Sequence, residues 1–65
     1  MRAMPDPLTR AKRYREHAAE CRQLAGISAD QPIIMEYERI AENYIKLAEA
    51  EEMLAAELAI QLKSA

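Results

Sequence analysis

A chain of 65 residues is expected to form one small domain, residues 1–65, and a core of that size rarely supplies more than about 3–5 kcal/mol without disulfides, metals or association. The single cysteine excludes an intramolecular disulfide, and a net charge of −2, from 9 basic and 11 acidic residues, excludes a strongly cationic nucleic-acid binder. One glycine and no tryptophan or phenylalanine, in a composition rich in Ala, Glu and Leu, favour long helices.

The chain carries no membrane or export signal in its composition. No apolar run approaches the roughly 20 residues that span a bilayer, and the first six residues have no apolar segment of the secretory type. A lone thiol is typical of a reducing compartment. We therefore expect a cytoplasmic protein without membrane contact.

The first helix is predicted over residues 7–25. It follows residues 1–5, which show no periodicity and are predicted to be disordered. Asp6 before Pro7 indicates a helix start, because an N-cap carboxylate satisfies free amides and proline fits the first helical position. Gly26 stands where a left-handed C-cap would need a glycine.

The second helix is predicted over residues 32–63, after a turn at residues 26–31. Pro32 marks its first turn, and Asp30 or Gln31 is placed to cap it. Neither glycine nor proline occurs again along the chain. Because helices joined by a short linker pack antiparallel, the predicted fold is all-α, a two-helix hairpin with a long second helix.

Both helices carry apolar residues spaced three and four apart, as coiled-coil and bundle helices do. The stripe on helix 1 comprises Ala11, Tyr14, Ala18, Cys21, Leu24 and Ala25. The first stripe on helix 2 comprises Ile33, Tyr37, Ile40, Tyr44, Leu47, Leu54 and Leu58. A second stripe beside it comprises Ile34, Ala41, Ile45, Ala48, Ala55, Ala59 and Leu62. An apolar arc this wide implies more than one neighbour for helix 2.

Helix 2 is predicted to outrun helix 1, at roughly 48 Å against 28 Å. An antiparallel helix 1 would cover it to about Glu51, leaving residues 52–63 without a partner in the chain. Exposed aliphatic side chains on one stripe mark an interface, so we expect a homodimer, or a tetramer, in which the overhangs complete a four-helix bundle. The predicted interface residues are Met53, Leu54, Leu58, Ala59 and Leu62. Fraying of the overhang, or capture of another protein by it, is the alternative.

His17 and Cys21 lie four apart on one face of helix 1 and are the candidate metal ligands. Two copies across a dimer axis would offer two nitrogens and two sulfurs, a set that suits zinc. The alternative interpretation makes Cys21 a core position flanked by His17. A metal-binding dimer is therefore one alternative function.

A basic run on helix 1 is the candidate phosphate-binding set: Arg10, Lys12, Arg13 and Arg15. Cations near a helix N-terminus oppose the helix dipole, a cost that a functional role would explain. Solvation, or pairing with the acidic helix 2, is the alternative. A nucleic-acid-associated regulator is thus the second alternative function, although we do not expect nucleic acid as the partner.

Catalytic motifs are not predicted. The chain has no nucleophile–base pair beyond His17 and Cys21, no glycine-rich phosphate loop and no carboxylate cluster in a predicted cleft. We expect no enzyme, no catalytic residues and no cofactor. The pattern favours a non-enzymatic interaction or structural module that acts as a homo-oligomer.

Three segments together resemble a set of very small helical proteins of alphaproteobacteria: residues 14–25, the turn at residues 30–32, and residues 47–51. Residues 14–25 fit the pattern Y-R-x-x-A-x-x-C-R-x-L-A, which in that set precedes a D-P turn and a helix with an aromatic residue followed by L-A-E. Here the turn is one residue longer, and Tyr44 stands where the aromatic residue, often tryptophan, is found. The resemblance covers residues 11–52, implies a helical hairpin and implies no particular activity.

Overall fold

The computed structural model describes residues 6–64 and consists of two α-helices that pack against each other, α1 (Pro7–Ile27) and α2 (Gln31–Ser64). Residues 28–30 join them. This confirms the predicted all-helical hairpin. The Cα atoms span 54 × 26 × 11 Å, which is one layer of two helices. The disorder predicted for residues 1–5 lies outside the described residues.

The start of α1 confirms the predicted cap. The Thr9 N–H donates to Oδ1 of Asp6 at 2.8 Å, and the Arg10 N–H donates to the Asp6 carbonyl oxygen at 3.1 Å. Pro7 is the first helical residue, where its missing N–H costs no intrahelical bond. The hydrogen bond from the Thr9 N–H stabilises the carboxylate and lowers the pKa of Asp6 below its ordinary value of 3.8.

The predicted glycine cap at the end of α1 is wrong. Gly26 does not have a positive φ and lies inside the helix, which continues to Ile27. The exit is made by Ser28, whose φ of −85° and ψ of 142° are extended, and its N–H donates to the Ala25 carbonyl oxygen at 3.4 Å. An extended cap residue ends a helix without a left-handed residue, so glycine's conformational freedom is not used here.

The linker is shorter than predicted. Three residues, 28–30, separate the helices, and α2 begins at Gln31, so that Pro32 is its second residue. The Asp30 N–H donates to Oγ of Ser28 at 3.3 Å, and the Ile34 N–H donates to the Asp30 carbonyl oxygen at 2.9 Å. Proline is tolerated here because the first-turn amides have no intrahelical acceptor.

Alanine makes up the buried core of the hairpin. Among the described residues, the buried apolar side chains are Ala11, Ala18, Ala25, Ala41 and Ala48, each at most 7% exposed. Within each helix they recur every seven residues, the repeat that keeps one edge facing a partner helix. Because a methyl group is the smallest side chain that fills the gap, this seam lets the two helices approach closely. The second stripe of α2 is therefore the one that packs on α1.

The uncovered part of α2 is shorter than predicted. Glu52 is half-buried and hydrogen-bonded to Arg15, and Ala55 is half-buried. The covered part of α2 therefore extends to about residue 55 instead of ending at Glu51. Asp6 and Pro7 at the start of α1 line a groove together with Leu58 and Leu62 of α2.

Candidate interaction surface

Two ion pairs flank the alanine seam and define the two faces of the helical layer. The guanidinium of Arg10 pairs with the carboxylate of Glu51 on one side of the seam. On the other side, Arg15 binds Glu52 through two parallel hydrogen bonds of 2.8 Å each. Five positions along α1 correspond to about 140° of helix rotation, so the two arginines leave α1 in different directions.

The face that carries Glu51 is mainly aliphatic. On α2, residues three, four and seven positions from Glu51 share its side of the helix. This surface, called here the apolar face, comprises Leu24 of α1 and Ile33, Ile40, Leu47, Leu54 and Leu58 of α2. Five of the six are between 40% and 47% exposed, and Ile40 is half-buried. The four most exposed members of the first stripe predicted on helix 2, Ile33, Leu47, Leu54 and Leu58, therefore remain at the surface, whereas Tyr37, Ile40 and Tyr44 are half-buried.

Aromatic rings occupy the middle of the apolar face. The Tyr44 ring stacks on Tyr14 of α1 with centroids 6.1 Å apart, and on His17 with centroids 5.2 Å apart. Both pairs have interplanar angles of 29°, within the offset-stacked range that aromatic pairs favour. These three rings cover the alanine seam at the centre of the apolar face, and the aliphatic residues lie on either side of them.

The opposite side of the layer, called here the polar face, is charged. Its residues are Arg15, Arg22, Glu38, Glu42, Glu49 and Glu52. Hydrogen bonding to Arg15 lowers the pKa of Glu52 below its ordinary value of 4.5. The two sides of one thin layer thus differ in chemistry: one is aliphatic and aromatic, and the other is mostly ionic.

The basic residues predicted for phosphate binding do not share a face. Arg10 and Arg15 are engaged with Glu51 and Glu52, on opposite sides of the seam. The other two members of the set are Lys12 and Arg13, both exposed. A phosphate backbone is bound by cations that project together. This arrangement does not favour the nucleic-acid hypothesis, which stays a prediction.

The predicted metal ligands lie on the apolar face. Cys21 is a half-buried free thiol, and His17 is exposed with its ring against Tyr44. The described part of the chain contains no group of three or more His, Cys, Asp or Glu side chains placed to hold a metal ion. A zinc site made of two protomers stays a prediction.

The five predicted interface residues are divided among different surfaces. Leu54 and Leu58 belong to the apolar face, and Leu58 also lines, with Ala59 and Leu62, the groove beside Pro7 at the start of α1. Met53 is 66% exposed and points away from the apolar face, since it lies about 100° around α2 from Leu54. The interface prediction itself remains untested, but the structure connects only part of it to a continuous surface.

Comparison with models of known protein families, with curated proteins and with solved structures returns no match to this chain. The resemblance of residues 11–52 to small alphaproteobacterial hairpins thus rests on its sequence pattern. Neither helix, over the residues described, is both long and apolar enough to cross a bilayer.

Sequence reasoning missed which stripe of α2 would face α1. The difference in side-chain size between the two stripes of α2 could have identified the one that faces α1. The buried stripe has alanine at positions 41 and 48, matched by alanines at positions 11, 18 and 25 of α1, while the other stripe has isoleucine and leucine. Two helices can approach most closely along the sides that carry the smallest residues, so the large side chains remain outside.

Proposed function

We propose that this chain is a non-enzymatic interaction module that acts as a homo-oligomer, with the apolar face as its self-association surface. One observation carries the proposal: the described core contains alanine alone, while five aliphatic side chains, each between 40% and 47% exposed, share one outer face. A buried methyl or methylene group is worth about 0.8 kcal/mol, against about 1.5–3 kcal/mol for a buried leucine or isoleucine. The part of these five side chains that stays exposed in the single chain can therefore be buried only through association.

The surface area of the chain supports the same proposal. The chain exposes 5451 Å², whereas a compact monomer of 7.4 kDa exposes about 4,200 Å². The layer measures 54 × 26 Å in its long directions, so either face offers more than the roughly 800 Å² per partner of a standard interface. A second copy with the same face covers this surface by two-fold symmetry.

The charges on the apolar face are compatible with burial against a second copy. Arg10 and Glu51 neutralise each other there, with exposed side-chain fractions of 32% and 20%. A paired charge at an interface avoids the cost of desolvating an isolated one. Two polar faces, by contrast, would bring Glu38, Glu42 and Glu49 of each copy together, and like charges oppose that arrangement.

Sedimentation equilibrium of the full chain tests the proposal through a matched pair of variants. Leu47→Glu places a carboxylate in the middle of the apolar face. Met35→Glu makes the same chemical change on the polar face, since Met35 is 65% exposed and lies seven residues before Glu42. We expect a wild-type dimer at micromolar concentration, at least tenfold weaker association for Leu47→Glu, and no change for Met35→Glu.

Circular dichroism of the same samples separates association from folding. Leu47 is 47% exposed in the single chain, so a glutamate there is expected to preserve helicity. If Leu47→Glu loses its helices, Leu47→Gln replaces it in the comparison. A wild-type chain that is fully helical and monomeric at tens of micromolar would contradict the proposal, and equal weakening by both glutamate variants would place the contact elsewhere.

A further inference from the structure

The apolar face of α2 is arranged symmetrically about Leu47. Ile40 lies seven residues before it and Leu54 seven residues after it, so the three form one row. The border of this row, on the side of α2 away from α1, has Glu36, Asn43, Ala50 and Glu57 at the same spacing. Its two middle members are uncharged. The row can therefore face its own reversed copy with Leu47 at the centre. The uncharged Asn43 and the partner's Ala50 then meet near that centre, and Glu36 and the partner's Glu57 lie at the ends of the border, where water screens them.

We propose that two copies associate with α2 antiparallel to α2 and with Leu47 on the two-fold axis. This inference rests on the proposed function, and it specifies the orientation and register that self-association alone leaves open. In this register Ile40 packs beside the partner's Leu54, and Leu47 beside the partner's Leu47. The rows of the two α2 helices form the centre of the interface, and the two α1 helices lie at its borders.

The unequal lengths of the helices favour this orientation. α1 has 21 residues and α2 has 34, which at about 1.5 Å per residue is roughly 31 Å against 51 Å. The apolar face reaches Leu58, which lies beside Asp6 and Pro7 where the covered part of α2 ends. In the antiparallel pair this end of one copy lies over the turn end of the other, next to the partner's Ile33 and the partner's Tyr37. If the two turns were at the same end, the uncovered ends of both α2 helices would lie together beyond both α1 helices.

The chemistry of α1 favours the same pairing of like helices. On the apolar face, α1 contributes Arg10, Tyr14, His17 and Cys21 beside Leu24, a row more polar than that of α2. Packing α2 on the partner's α1 would press leucine and isoleucine onto Arg10 and His17 and remove both from water. Polar groups buried without new partners cost free energy. With α2 on α2, the polar rows stay at the border, where water reaches them.

Disulfide cross-linking between copies tests the register. In a Cys21→Ser background, Leu47→Cys and Ile33→Cys each place one thiol on the apolar face of α2. A disulfide needs Cα atoms within about 7 Å, a distance that only the position on the axis provides. Two copies of residue 33 would lie about 42 Å apart, since each is 14 residues from the axis. Met35→Cys, on the polar face, gives the rate of disulfide formation that random collision between copies produces.

With copper–phenanthroline and dissolved oxygen as oxidant, we expect Leu47→Cys to form a covalent dimer at least tenfold faster than Ile33→Cys and Met35→Cys. Rapid cross-linking of both Leu47→Cys and Ile33→Cys would indicate parallel α2 helices and overturn the inference. No rapid cross-link from Leu47→Cys, in a parent that sedimentation shows to be dimeric, would overturn it while leaving the proposed function intact. A monomeric parent would instead contradict the proposed function itself.

Discussion

Alanine determines how closely the two helices approach. Ala18 and Ala41 are 1% and 0% exposed, and both sit in the seam where a larger side chain would have to displace the opposite helix. Of the stripe predicted on helix 1, Ala11, Ala18 and Ala25 are buried in the seam, whereas Leu24 is 42% exposed. It did not predict that the alanines alone would be fully buried, because burial depends on the distance between the helix axes, and the periodicity of one helix does not fix that distance.

Replacing a seam alanine with leucine is expected to destabilise the hairpin. Ala18→Leu adds three carbons where the helices touch, and overpacking of this kind costs about 1–3 kcal/mol. Ala19→Leu makes the same change at the next residue, which is exposed, and should change the free energy of unfolding by less than about 0.5 kcal/mol. Urea denaturation followed by circular dichroism measures both. Equal effects of the two substitutions would show that the seam does not limit helix approach.

α1 begins where local chemistry predicts and ends where it does not, whereas both ends of α2 lie within one residue of the prediction. Asp6 and Pro7 start α1 as expected, because an N-cap depends on groups within one turn of the chain. The end of α1 was predicted two residues too early, at residue 25 instead of Ile27, because Gly26 stays helical and Ser28 makes the exit. A glycine tolerates both helical and left-handed backbone angles, so its identity cannot select between them.

Gly26→Ala is expected to stabilise the protein, the opposite of what a left-handed cap would give. The backbone at Gly26 has no positive φ, and a Cβ atom built there meets no atom within 4 Å. Alanine in a helix is more stable than glycine by about 0.5–1 kcal/mol, because it loses less backbone freedom on folding. Thermal denaturation at fixed protein concentration measures the change. A lower melting temperature for Gly26→Ala would contradict the helical assignment of this residue.

At the scale of the whole molecule, the hairpin is a thin layer with one aliphatic face and one ionic face. On the polar face, the ion pair between Arg15 and Glu52 links α1 to α2, and the cap at Asp6 stabilises the start of the shorter helix. Both carboxyl groups are stabilised in their charged form. Folding is therefore linked to pH through groups at the same end of the layer.

Acid is expected to weaken the fold through these two carboxylates. The pKa of Asp6 and of Glu52 is lowered in the folded chain, by the Thr9 N–H and by Arg15, from ordinary values of 3.8 and 4.5. Their contribution is complete above those ordinary values and is lost as the pH falls through the lower folded values. The melting temperature should therefore fall between about pH 5 and pH 2.

The variant Asp6→Asn with Glu52→Gln provides the control for this prediction. Asparagine still caps a helix, and neither amide titrates, so the double variant should lose less stability than the wild type over the same range of pH. Glu38→Gln with Glu42→Gln removes two charges from the polar face and should leave the acid-induced change close to that of the wild type. If all three proteins lose stability in parallel, Asp6 and Glu52 do not control the response.

The sequence by itself determined that this chain is helical, that it turns once and that its second helix is the longer one. Each of these features follows from interactions within a few residues: the cap at Asp6, the proline at position 32, and apolar spacing of three and four. Only the tertiary structure decided which stripe of α2 faces α1. That choice depends on the distance between the two helix axes, which is shortest where both helices present alanine. The consequence is that Leu47, Leu54 and Leu58 remain outside the hairpin, on the face that we propose a second copy covers.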